Sequence, residues 1–411
     1  MISYEQYLRN AAVTKETIDT FLDPSASTWA KFDPELGYVL DNSLQHDGLD
    51  GCFTISTVQE NGARTASAYA NRPCRINTYG NSFTQCHQVS DGETWQEYLA
   101  AHLGEPIRNF GMGGFGFYQA YRRMIRTEKT AHGAQYVLLY IWGDDHMRSV
   151  MRCRHATTYP WGKLQGGLFF HGNFWANIEM DLDSGRLVEK ENILPTLESL
   201  YRMTDPDFMV DALRDDLMVQ LYTLEDGYCD PASIDHGRLN ALAETLGVGG
   251  IDENSPDDLK VSIPRIKNAY GFAATKNVIE KAVRFCRANR KGLLIMLICP
   301  RATRQLLRKE PRYDQEIVRY LDDKGVKYFD MNTVHFRDYQ SFDVSVDDYM
   351  KRYYIGHYGP SGNHFFAYSI KDTVVELLDP KPITYRDDGS RVVDFKGYAP
   401  GLLPGAPKGP I

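Results

Sequence analysis

Residues 75–86, RINTYGNSFTQC, run from an alternating apolar stretch straight into Gly80-Asn81-Ser82. A strand that ends on three small residues has two readings. Either the turn needs small side chains, or a hydroxyl is being held out at the carboxyl edge of a sheet, where ligands bind in parallel α/β structures. The surrounding pattern decides which.

On both sides of this stretch the chain alternates between strand and helix periods. Cys74–Tyr79 reads as a strand. Glu93–Leu103 reads as a helix with Trp95, Leu99 and Leu103 on one face, followed by a strand at Ile107–Phe110 and a helix at Phe117–Thr130. Tyr136–Trp142, YVLLYIW, is apolar throughout, as expected for a central strand covered on both faces. The alternation stops between about 150 and 270, where GGLFFHGNFWANIEMDLDSGRLVEKEN predicts strands around an Asp-Ser-Gly turn, then helices near 196–204, 206–223 and 232–246. It resumes with a helix near 275–289, the strand Leu293–Cys299, a helix near 311–323, the strand Val326–Asp330 and a last helix after Gly362. Such alternation implies a mostly parallel sheet with helices on both faces. The expected organisation is a small β-rich N-terminal domain over 1–70, with a hairpin turn at Glu60-Asn61-Gly62. An α/β domain over 71–385 follows, carrying the 150–270 insertion. A Pro/Gly-rich extended arm over 386–411 could join copies into a homo-oligomer.

The 411 residues are 43% apolar with a net charge of −8 and a pI near 5.8. That balance offers no electrostatic footprint for nucleic acid or an anionic membrane. No apolar run is long enough to span a bilayer, and the opening MISYEQYLRN lacks a secretory pattern. The seven cysteines are scattered, with no Cys-x-x-Cys pair, so reduced thiols in a cytoplasmic protein are expected. The eleven histidines show no metal-ligand spacing. No metal or organic cofactor is implied.

Four segments fall where the strands of such a sheet end: Gly80-Asn81-Ser82-Phe83, then NFGMGGFG (109–116), GDDH (143–146) and GHYGPSGNHFFA (356–367). Together and in this order they resemble the four blocks of the SGNH hydrolases, the GDSL esterase/lipase superfamily. The resemblance covers about 73–150 and 275–380. It implies a flavodoxin-like three-layer α/β/α fold and a serine ester hydrolase. On it, Ser82 is the nucleophile, with Gly-Asn-Ser standing for Gly-Asp-Ser. Gly114 supplies an oxyanion N–H, with Gly113 the near alternative. Asp144 occupies the asparagine position of the third block, and His357, ahead of Pro360-Ser361-Gly362, is the base. The chemistry suits these residue types, because a serine hydroxyl needs a base within hydrogen-bond reach and glycine amides approach a tetrahedral intermediate without obstruction.

Two positions depart from the family pattern. The acid expected just before His357 is replaced by Tyr354 and Ile355, leaving a Ser–His dyad or an acid from elsewhere: Asp330, Asp347 or Asp348. An ionised Asp144 would repel an oxyanion and could donate only if burial beside Asp145 kept it protonated. Asp145, His146 and Arg148 are candidate substrate contacts. The rival readings are loop capping for Asp145 and solvated ion pairs for the other two. His364, Cys86, His87 and the aromatic run 168–175 read as packing residues, although that run lies where a cap over the site would be. The expected substrate is a small-molecule or carbohydrate ester, deacylated to water. An O-acyltransferase, or a binding protein on a decayed hydrolase scaffold, are the alternatives.

Overall fold

The structure, a computed structural model, describes residues 1–26, 28–161, 172–252 and 258–386. Its centre is a five-stranded, all-parallel sheet built from β1 (Ile76–Tyr79), β2 (Ile107–Asn109), β3 (Tyr136–Ile141), β4 (Gly292–Leu297) and β5 (Tyr328–Asp330). The spatial order is β2-β1-β3-β4-β5. Ile76 lies opposite both Ile107 and Tyr136, Gly292 opposite Tyr136, and Ile295 opposite Tyr328. The winding direction reverses between β1 and β3, and that reversal opens a crevice at the carboxyl ends of these two strands.

Why β3 is apolar at every position follows from what covers it. Successive side chains of a strand point to opposite faces. Val137, Leu139 and Ile141 enter one core, with Tyr118 and Met124 from the helix Phe117–Thr127 and Val278 and Ala282 from the helix Leu259–Ala288. Leu138 and Tyr140 enter the other, with Trp95 and Leu99 from Trp95–Leu103 and Phe366, Ile370 and Val374 from Pro360–Leu377. Helices thus flank both faces, an arrangement compatible with three α/β/α layers. No helix among the described residues is long and apolar enough to cross a membrane.

Residues 1–70 hold two helices, Tyr4–Asn10 and Lys15–Leu22, and two antiparallel strand pairs. Ala30–Asp33 pairs with Gly37–Leu40, and Ser43–Gln45 with Thr54–Ser56. Their buried side chains, including Tyr7, Trp29 and Tyr38, share one core with Phe110, Phe115 and Val137 of the sheet region. The Glu60-Asn61-Gly62 turn forms, with Gly62 N–H on the Gln59 carbonyl, but the pairing beyond it stops at a single Val58–Arg64 bridge. Arg64 also bridges to Asn109, the last residue of β2, while its side chain turns inward.

In the insertion, Asn177–Asp181 and Arg186–Lys190 form the expected hairpin. The helix expected over 206–223 is broken at Arg214–Asp216, where Asp216 accepts from the Met218 and Val219 amides and starts a new helix. The helix expected to begin near 275 begins at Leu259 and runs through Pro264. Helices at Pro300–Leu307, Met331–Tyr339 and Val346–Lys351 were not foreseen. The C-terminal arm, apart from Arg386, lies outside the described residues.

Candidate active site

The turn after β1 is built around Asn81. Its side-chain carbonyl accepts from the Phe83 amide at 2.8 Å, capping the short helix Ser82–Gln85. Its amide nitrogen donates to both oxygens of Asp145, at 2.9 and 3.0 Å. Ser82 therefore stands at the first position of a helix that is clamped to the loop after β3. Gly111 completes the clamp from the loop after β2: a Cβ there would sit 2.1 Å from the Gln85 amide nitrogen. Only glycine lets these two backbones touch.

His357 faces this turn. Its Nε2 lies 2.8 Å from Ser82 Oγ, and its Nδ1 lies 2.9 Å from Gln88 Oε1. The backbone N–H of His357 donates to the same Gln88 atom at 2.8 Å, while Gln88 Nε2 donates to the Asp47 carbonyl at 3.0 Å. These contacts fix the protonation pattern. A backbone N–H is always a donor, so the atom it meets is the amide oxygen, and the ring nitrogen that also meets that oxygen must carry a proton. Nε2 is then the unprotonated nitrogen, and it faces the serine hydroxyl. Burial, with contributions from His87 and Arg148, holds the His357 pKa well below the ordinary histidine value, against the pull of Asp47. The imidazole is neutral, as a general base must be.

The third member of the constellation is thus an amide. Asp330 caps the helix after β5, accepting from Asn332 N at 3.0 Å, and pairs with Arg312. Asp347 lies 3.8 Å from Arg308, and Asp348 binds Ser345 and Lys351. None of the three is bonded to His357. His364 is exposed and packs its ring on Tyr98.

Ser82, His357, Gly114, Asp144 and Arg148 line a cavity of about 660 Å³, together with Trp29, Asp47, His87, Gln88, Arg154 and Trp161. Among the described residues the amides of Ser82 and Gly114 have no hydrogen-bond acceptor, whereas the Gly113 N–H is taken by Gln85 at 2.7 Å. Gly114 adopts φ +81°, a conformation that L-residues rarely hold.

Asp144 and Asp145 differ from their expected roles. Asp144 is not buried: its side chain is 53% exposed and takes Arg148 at 3.3 Å, so the burial that would have kept it protonated as an oxyanion donor is missing. Asp145 is the buried one. It accepts from Asn81, from the Trp142 amide at 2.9 Å and from Arg148 at 3.4 Å, and burial pushes its pKa up to about 7 against these donors. It holds the nucleophile turn and does not line the cavity. His146 does not reach the cavity either. It is buried under the helix Leu259–Ala288, its Nδ1 2.8 Å from Thr275 Oγ1, and burial lowers its pKa to about 4.

His87, read from the sequence as a packing residue, lies in the cavity wall, with Nε2 2.9 Å from Asp47 and its ring against His357. Cys86 is buried. Of the aromatic run, Phe174 and Trp175 are core residues, and Leu168–His171 lie outside the described residues. Trp29, Asp47, Gln88 and Arg154 carry no sequence signature; only the fold brings them to Ser82. The seven cysteines are unpaired. No protein-family model matches the chain, and no curated protein does.

Proposed function

We propose that this chain is a serine ester hydrolase with a flavodoxin-like SGNH architecture, acting on an ester of a small acyl group. The observation that carries the reading is the Ser82–His357 contact at 2.8 Å with the histidine tautomer fixed by Gln88. The strand order and the four strand-end segments support it. Ser82 Oγ attacks the ester carbonyl while its proton passes to His357 Nε2. The N–H groups of Ser82 and Gly114, which have no acceptor among the described residues, would receive the carbonyl oxygen as it gains charge. His357 then protonates the departing alcohol, and the acyl-serine is released when a water, deprotonated by the same nitrogen, attacks it. A cavity of about 660 Å³ walled by Trp29, Trp142 and Trp161 is of ligand size.

A serine-directed fluorophosphonate probe tests the proposal. The native protein is expected to be labelled and to hydrolyse p-nitrophenyl acetate. Ser82→Ala and His357→Ala are expected to do neither while keeping their circular dichroism. Absence of labelling in the native chain would instead favour a binding protein built on this scaffold.

A further inference from the structure

Arg154 lines the cavity that holds Ser82 and His357, and although Asp144 acts on it from a distance it has no direct ion pair among the described residues. The residue is 6% exposed. One nitrogen, Nη1, donates to the Gly114 carbonyl at 3.0 Å. Nε has no partner, and among the described residues Nη2 has no acceptor and no carboxylate lies within 4 Å of the guanidinium. Arg123, also buried and without an ion pair among the described residues, gives both terminal nitrogens to the Gly111 and Gly62 carbonyls, and two other buried arginines are ion-paired. Arg64 engages Asp91 and the carbonyls of Gln85, Cys86 and Val89, and Arg312 engages Asp314 and Asp330. Arg148, which lines the same cavity, is matched by Asp144 and Asp145. A buried charge is costly without a counter-charge, so a guanidinium left open toward a ligand cavity is a ready-made anion seat.

We infer that the ester taken by this site carries a carboxylate close to its reacting carbonyl, and that Arg154 binds that carboxylate. The inference rests on the hydrolase reading for its substrate, but the anion seat itself does not. The distance is short because the residue whose amide faces the oxyanion, Gly114, is the one whose carbonyl Arg154 holds. A planar monoanion fits better than a phosphate dianion: the guanidinium fork matches a carboxylate edge, and Asp47 and Asp144 on the same walls would repel a second negative charge.

The test compares matched esters. Mono-p-nitrophenyl succinate against p-nitrophenyl acetate places the anion on the acyl side; 4-acetoxybenzoate against its methyl ester places it on the alcohol side. The native enzyme should favour the anionic member of one pair in kcat/KM. Arg154→Gln should reduce that preference by about tenfold or more, the value of a charge-assisted hydrogen bond, and Arg154→Lys should keep part of it. Binding of succinate and of benzoate to the Ser82→Ala protein, followed by calorimetry, reads the seat without turnover, and Ser82→Ala/Arg154→Gln should lose it. Turnover of neutral and anionic esters alike, with neither carboxylate bound, overturns the inference and spares the hydrolase. Carboxylate binding without turnover or probe labelling does the reverse. If Arg154→Gln loses its circular dichroism, the Arg154→Lys ratio decides: an unchanged preference overturns the seat, and a reduced one supports it.

Discussion

Gln88 performs half of what a triad carboxylate does. It orients the imidazole and fixes the tautomer, but it brings no charge to stabilise the imidazolium that the proposed reaction would form. Two outcomes follow for single residues. Because the His357 pKa is held well below 6.5, the neutral base survives acidification, and the acid limb of kcat/KM should fall below pH 6.5. Gln88→Glu should move that limb upward, since a carboxylate favours the protonated ring; an unmoved pH profile would show that residue 88 does not face the base. Gln88→Ala removes the bond that holds the ring at Nδ1 and should lower kcat by roughly 10²-fold or more, in line with the cost of lost general-base geometry. Sequence reading reached Ser82 and His357 through their likeness to the SGNH blocks, and searched for an acid because those blocks usually carry one. An uncharged glutamine at 88 has no such signature. Its position depends on the left-handed backbone at Cys86 and Gln88, which no residue type there announces.

Between residue and molecule, the unit that matters is the loop 85–91, which carries Gln88 and His87. Arg64 holds it from below through three carbonyls and Asp91. Arg64→Met should cost roughly 3–5 kcal/mol, as for other broken buried ion pairs, and should lower kcat more than a stability loss explains, because Gln88 is set free. Urea midpoints and turnover of the folded fraction measure the two effects separately. On the opposite side, Gly111→Ala forces the loop after β2 off the nucleophile turn and should abolish probe labelling of Ser82, whereas Gly92→Ala, with open space around it, should not. The same scale explains what periodicity can reveal. β3 and β4 were legible because burial on both faces leaves an uninterrupted apolar run. Met331–Tyr339 and Val346–Lys351 were not, since MNTVHFRDY and VDDYMK lack a sustained apolar stripe and are held by neighbours such as Tyr349 on His335.

For the whole molecule, acid should be the weakness. His146, His155 and His335 are buried, with pKa values lowered by desolvation to about 4, 4 and 3, and the half-buried His357 is lowered in the same direction. Below pH 6.5 the unfolded chain takes up protons at these rings that the folded chain refuses, so stability falls as pH drops toward 4. Asp145 and Asp216, raised to about 7 and 6, act in the opposite sense, holding protons in the fold that the unfolded chain releases above its ordinary value of 3.8. Asp226 is raised as well and His102 lowered; the lowered rings outnumber the raised carboxyls, and the urea midpoint should decline between pH 6.5 and 4, so that a rise over that range would contradict the balance. At this scale the sequence disclosed a strand–helix core but not its dependence on the residues before it. Contacts across long chain separations leave no local pattern, and Trp29, Asp47 and Arg64 reach the site only through the shared core. A shortened protein starting at residue 71 would keep every letter of the four recognisable blocks. It would nonetheless have one side of its mouth missing and Gln88 unanchored, so trimming this protein to its apparent minimum is the wrong route to a smaller version of the site.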